Sequence, residues 1–263
     1  MIDAREVEAL SGWHVLARRV VASTNDEASL LRASGAQDRT VVVADRQTAG
    51  RGRGGHRFAS PPGGLYASLL LRVRPADLPA PLVAAAAVAL AEAIEAVGVP
   101  AARVKWPNDV WIGDRKVAGL LAEADPTGTR AGPDRVSVIL GVGVNVERVP
   151  SDLPADVAAG VTAVDLHVPA PVRPELLLAA FLRGLDRRLT ALDEPLRRAE
   201  LETAYRSRMA LVHERVRFLV GDASRVGVLE DVSLERGLLV QGPSGPPSWH
   251  AAAHVRELRP EGP

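Results

Sequence analysis

Hydrophobic side chains in the first 150 residues come in short unbroken runs. TVVVAD (Thr40 to Asp45), LYASLLLR (Leu65 to Arg72) and VSVILGVGVNV (Val136 to Val146) are apolar at odd and even positions alike, as in strands buried on both faces. DVWI and KVAGLLAE flank the turn at Gly113-Asp114 and predict a hairpin. Helical patterning begins after Ser23-Thr24, where Asn25 to Ala33 carries Ala28, Leu30 and Leu31 behind a Thr or Asn N-cap. Pro81 opens an Ala-rich helix running to Val97, closed by Gly98-Val99-Pro100. After a Pro- and Ala-rich connection from Ser151, the stretch Pro174 to Ser207 reads as largely helical, with Leu177, Phe181, Leu185 and Leu189 four apart.

From about Val212 the texture changes. Short alternating runs, RVRFLV, RVGVLEDV and GLLVQG, are separated by GDAS, SLERG and GPSGPPS, the spacing of a small β-barrel. The expected division is a main domain over 1–211 and a small barrel over 212–263.

Composition narrows the function. A chain of 263 residues with 47% hydrophobic content suits one large domain with a small appendage. Lys+Arg and Asp+Glu are each 32, for zero net charge, which argues against a DNA binder held by phosphate contacts. The absence of cysteine removes disulfides, thiolate zinc sites and Cys nucleophiles. MIDAREVEAL lacks the basic-then-apolar signal pattern, and the longest apolar run, Leu82 to Ala91, is too short for a bilayer. A cytoplasmic protein without a membrane partner is expected.

Candidate chemistry lies in TAGRGRGGHRFASPPGGLY, Thr48 to Tyr66, which links two buried strands. Gly50 to Gly55 formally matches G-x-G-x-x-G, but prolines and a strand follow it instead of a helix, so a dinucleotide fingerprint fails. A P-loop fails too, for want of a Lys-Ser/Thr pair. Glycines expose backbone N–H groups, and Arg51, Arg53 and Arg57 can bind phosphate or carboxylate. Such a loop is expected to be disordered until an anion neutralises it.

STN at Ser23 to Asn25, QTAGRGR at Gln47 to Arg53, KWPNDVWIGDRKVAGLLAE at Lys105 to Glu123 and GVGVN at Gly141 to Asn145 together closely resemble the biotin protein ligases. The resemblance implies an α+β catalytic domain, a mixed sheet with helices on one side as in class II aminoacyl-tRNA synthetases, followed by a small C-terminal Src-homology-3-like β-barrel. It implies that biotin and MgATP give biotinoyl-5′-AMP and pyrophosphate, and that biotin then passes to one lysine of a biotin carboxyl carrier domain. By the same resemblance Lys116 meets the biotin carboxylate and α-phosphate, while Arg51 and Arg53 fold over biotin and adenylate. Ser23, Thr24, Asn25 and Gln47 fall at the ureido head, and Gly119 on the strand along biotin. Asn145 falls at the adenine, Phe58 over the purine, Asn108 near the triphosphate, and Asp109 as an indirect magnesium partner. Trp106 is expected in the core.

The loop reads GRGRGGHRF where the family more usually has GRGRxGRxW, so His56 and Phe58 replace an arginine and a tryptophan. Lipoate ligases and octanoyltransferases, which resemble the same fold, are the nearest alternative; the cysteine-dependent transferases are excluded by composition. A repressor form is not expected, since the 22 residues before Ser23 are too few for a helix-turn-helix domain.

Overall fold

The apolar runs pair with one another to form the middle of the molecule. In the computed structural model, which describes residues 1–125, 130–132, 134–192 and 194–261, the main domain runs α1 (Ala4–Ser11), β1 (His14–Val21), α2 (Thr24–Ala33), β2 (Thr40–Gln47), β3 (Gly64–Val73) and α3 (Ala80–Ala96). It continues through β4 (Arg103–Lys105), β5 (Asp109–Ile112), β6 (Arg115–Ala124), β7 (Arg130–Gly132) and β8 (Arg135–Asn145) to α4 (Ala155–Ala159), α5 (Pro174–Leu192) and α6 (Pro195–Ser207). The sheet order is β1-β2-β3-β8-β6-β5-β4, with β7 also on β8. β1 and β2 are parallel and every other pair is antiparallel.

Why the central strands are apolar throughout is plain from their two faces. Val41, Val43, Leu69, Leu71 and Leu140 enter the large core with α3 and α5, while Val42, Leu70 and Ile139 pack against Ala28 of α2 on the opposite face. Helices α1, α3, α5 and α6 therefore form the expected layer on one side, and the short α2 lies on the other, at the site. The alanines of α3 allow close approach: a Cβ on Gly184 of α5 would lie 3.4 Å from that of Ala89.

Two features depart from the pattern read in the sequence. The helix α1 and strand β1 went unrecognised, because α1 has eight residues and Arg18-Arg19 interrupts the hydrophobic run of HVLARRVV. The stretch 174–207 is two helices, and Pro195 stands in the first turn of the second, where its missing N–H costs nothing.

Strands β9 (Arg215–Val220), β10 (Ala223–Ser233), β11 (Gly237–Gln241), β12 (Ser248–His250) and β13 (Val255–Pro260) make the small antiparallel barrel-like sheet, in the order β12-β11-β10-β9-β13. One long strand serves two neighbours. β10 pairs β9 through Val228 and β11 from Val228 onward, bending at a bulge between Leu229 and Asp231. Val216, Phe218 and Leu229 join the same core as Leu201 and Tyr205 of α6.

Candidate active site

The ends of β1 and β2, the glycines of β8 and β6, the Arg-rich loop and β13 surround one cavity of about 670 Å³. Its walls differ in chemistry from one side of the sheet to the other. At the β1-β2-β3 side they are neutral hydrogen-bonding groups. Ser23 caps α2, accepting from the Asn25 N–H at 3.2 Å, and also lines the cavity, so one hydroxyl is both cap and wall. The Gln47 Oε1 accepts from the Thr24 N–H at 2.7 Å and its hydroxyl at 3.1 Å, while Gln47 Nε2 donates to Ser60 at 2.8 Å. Beneath them the fully buried Ser68 hydroxyl lies 2.7 Å from Thr24 Oγ1 and 2.5 Å from Asn25 Oδ1. A buried serine within LYASLLLR is thus part of the site's support.

The floor is glycine. A Cβ on Gly143 would lie 2.5 Å from the Phe58 ring, and one on Gly119 would lie 3.2 Å from Lys116 Nζ. Only bare backbone leaves room there for Phe58, whose ring meets Tyr66 edge-on at 6.4 Å and lies 5.9 Å from the Lys116 ammonium.

At the β6-β5-β4 side the walls are ionic. Lys116 is set by its backbone, its N–H donating to Gly160 O and its carbonyl accepting from Thr162 N, both at 2.8 Å. Its ammonium pairs with Asp109 at 2.6 Å. Lys105, also on the wall, has its pKa lowered, first by burial, with neighbouring Lys116 adding to the effect and Asp109 opposing it. The signal for Lys105 was present in KWPND, where it begins the motif.

Three further wall residues come from the barrel: Arg256, Glu257 and Arg259. Neighbours on a regular strand face opposite sides, but β13 carries a register shift between Arg256 and Arg259, and Glu257 sits at φ +54°. This left-handed backbone in a non-glycine residue turns all three toward the cavity. Nothing in the sequence around 256–259 marks it.

The predicted residues mostly converge. Ser23, Thr24, Asn25, Gln47, Arg51, Arg53, Phe58, Asn108, Asp109, Lys116 and Gly119 all line the cavity. Asn145 does not. It is buried, and its amide donates to Thr162 O at 3.1 Å, because the end of β8 packs beneath the segment that braces Lys116. Asn108 reaches the wall, yet its amide donates across to Leu120 O at 2.5 Å. Trp106 is 3% exposed, in the core as expected. The loop makes its own contacts: Gly52 N–H donates to His56 O at 2.7 Å, Phe58 N–H to Gly50 O at 2.9 Å, and Arg57 pairs with Asp152 at 2.9 Å. Protein carboxylates supply the counter-charge to two of its arginines, Asp26 and Glu123 to Arg51 and Asp152 to Arg57.

Residues 16–145 match the profile of the Biotin/lipoate A/B protein ligase family. The chain is 34% identical over 268 residues to a biotin--[acetyl-CoA-carboxylase] ligase of Mycobacterium tuberculosis, an alignment covering 96% of this chain and 92% of that one. It is 40% identical over 146 residues to the bifunctional ligase/repressor BirA of Bacillus subtilis, covering 54% of this chain and 43% of that protein, so the match spans less than half of that relative. A biotin protein ligase from Aquifex aeolicus, solved in complex with biotin and ATP, superposes with a TM-score of 0.78 at 27% identity, over 94% of this chain and 99% of that one. Near-full-length identity and a shared fold lead to one assignment: this chain belongs to the biotin protein ligase family.

Proposed function

We propose that this protein activates biotin with MgATP and transfers it to a lysine of a biotin carboxyl carrier domain. The observation that carries the reading is the change in wall chemistry across one cavity. Biotin has a neutral ureido head, an apolar middle and an anionic end. Thr24 and Gln47 suit the head, the glycine floor with Leu120 and Val142 suits the middle, and the Lys116 ammonium on the same wall suits the carboxylate.

A biotin carboxylate oxygen attacks the α-phosphorus of ATP, and the bond to the β-phosphate oxygen breaks as pyrophosphate leaves. Two anions must meet for this, and Lys116 and Arg53 supply fixed positive charge where they do. Lys105, Arg256 and Arg259 extend that charge toward the leaving pyrophosphate. The neutral amine of the carrier lysine then attacks the acyl carbon, AMP departs with the electron pair of the C–O bond, and the nitrogen releases one proton to water as the amide forms. Phe58 and the loop keep water from the mixed anhydride between the steps.

Magnesium would arrive with the triphosphate, whose oxygens and water supply most of its ligands. Among the described residues no group of three His, Cys, Asp or Glu forms a separate site. Asp109, on the wall beside Lys116, is the carboxylate placed to meet such an ion, which when bound would offset phosphate charge.

The test is pyrophosphate release from MgATP with biotin and, separately, lipoate, followed by mass spectrometry of a carrier domain. Biotin-dependent release and a single modified lysine are expected. Release with lipoate alone would overturn the proposal in favour of a lipoate ligase.

A further inference from the structure

The two arginines of GRGR differ in what they hold. Arg51 is already engaged by the protein: one terminal nitrogen is 2.9 Å from Asp26 and the other 3.1 Å from Glu123. Arg53 makes no ion pair among the described residues and stands on the cavity wall. Glu123 serves a second partner, since its Oε2 also accepts from Asn25 Nδ2 at 2.6 Å. Asn25 in turn receives the Ser68 hydroxyl on its Oδ1, at 2.5 Å. A continuous set of contacts therefore runs from the buried floor, through Asn25 and Glu123, to the base of the loop, where Arg51 and Arg57 face each other across the bridge.

We propose that Arg51 is the latch of the loop and not a ligand contact, and that Glu123 is a positioning residue joining that latch to the polar floor of the site. Burial agrees with such a device. Arg51, Asp26 and Glu123 are 44%, 50% and 39% exposed, so each pair is screened by water and contributes only a few-fold to the closed population. A weak double latch holds the loop over the cavity yet releases it often enough for ligands to exchange. Arg53, carrying no internal counter-charge, is left to meet an anion inside.

That the latch guards an acyl-adenylate rests on the proposed function, but the latch can be tested without it. Trypsin cuts after arginine in chain that can straighten into its cleft, and Arg53 sits in a tight turn closed by the Gly52 N–H to His56 O bond, so cleavage after Arg53 in the full-length protein reports loop opening. Glu123→Gln keeps an acceptor for Asn25 and removes the charge that holds Arg51; it should speed this cleavage about fivefold, the change one exposed pair can supply. Asp26→Ala should do likewise, and it decides the matter if Glu123→Gln fails to fold. In a double-mutant cycle, Glu123→Gln should add nothing to Arg51→Gln. Unchanged cleavage in both carboxylate variants, or fully additive acceleration in the double variant, overturns the latch. With biotin and ATP, the share of adenylate lost to solution should rise by a similar factor in Glu123→Gln. If the wild-type protein makes no adenylate, the functional reading fails while the protease result still judges the latch.

Discussion

A single side chain, Lys116, shows how this fold presents charge. Both of its backbone groups bond to the segment Gly160 to Thr162, and its ammonium is held by Asp109 at 2.6 Å, so the charge is aimed before any ligand arrives. Lys116→Ala should lower the rate of pyrophosphate release by about 10²–10³, the scale for losing one preorganised charge. Stability should fall by no more than about 1 kcal/mol, since the pair with Asp109 is partly exposed; stopped-flow kinetics and urea denaturation separate the two. Lys105 supplies a pH signature. Burial lowers its pKa, and a bound polyphosphate favours its charged form and raises that pKa again. Nucleotide binding should therefore take up protons between the lowered and ordinary lysine values and weaken as pH rises through that window. Calorimetry in buffers of different ionisation heat measures the uptake. Unfolding also restores the ordinary pKa, so in the same window the unfolded chain binds more protons and stability attributable to this group increases with pH.

Elements decide which residues reach the cavity. β13 pairs only β9, and the segment that delivers the chain to it packs on Gly237 of β11: this glycine sits at φ +91°, where a Cβ would come 2.1 Å from His250 O and 2.7 Å from Ala252 N. Those neighbours are backbone and cannot swing aside. Gly237→Ala should destabilise the protein by about 1–3 kcal/mol and raise the KM for ATP more than that for biotin, as Arg256 and Arg259 lose their footing. Urea midpoints and initial rates would show it. Much at this scale was legible in sequence: the strands β2, β3 and β8 as solid apolar runs, α3 as an Ala-rich helix between prolines, and the hairpin at Gly113. Strand β1 was not, because its outer positions carry Arg18 and Arg19. It survives as an edge by pairing with β2, while Glu8 of α1 accepts the Val15 N–H at 2.8 Å and blunts the exposed side.

Across the whole molecule, zero net charge conceals a cavity rich in cations, and two sheets share one hydrophobic core. Val216 and Phe218 pack into the cluster that holds Leu201 and Tyr205, and Arg206 of α6 donates to Asp231 of β10 at 2.9 Å. Unfolding should consequently be a single cooperative transition. Differential scanning calorimetry checks this, with two resolved peaks as the contrary result. The opposite sheet edge is covered as well: Val104 of β4 exchanges backbone hydrogen bonds with Arg208 and Ala210.

The sequence alone determined the fold class, the family and the identity of eleven residues on the cavity wall, because local hydrophobic patterning and contiguous motifs are written in neighbouring positions. Tertiary structure decided how those residues are used. Asn145 bonds to Thr162, Arg51 is claimed by Asp26 and Glu123, and Arg256, Glu257 and Arg259 arrive from more than a hundred residues beyond the nearest motif. Such pairings depend on distances between segments remote in the chain, and a side chain's partner is set by where packing leaves it, not by the residues beside it.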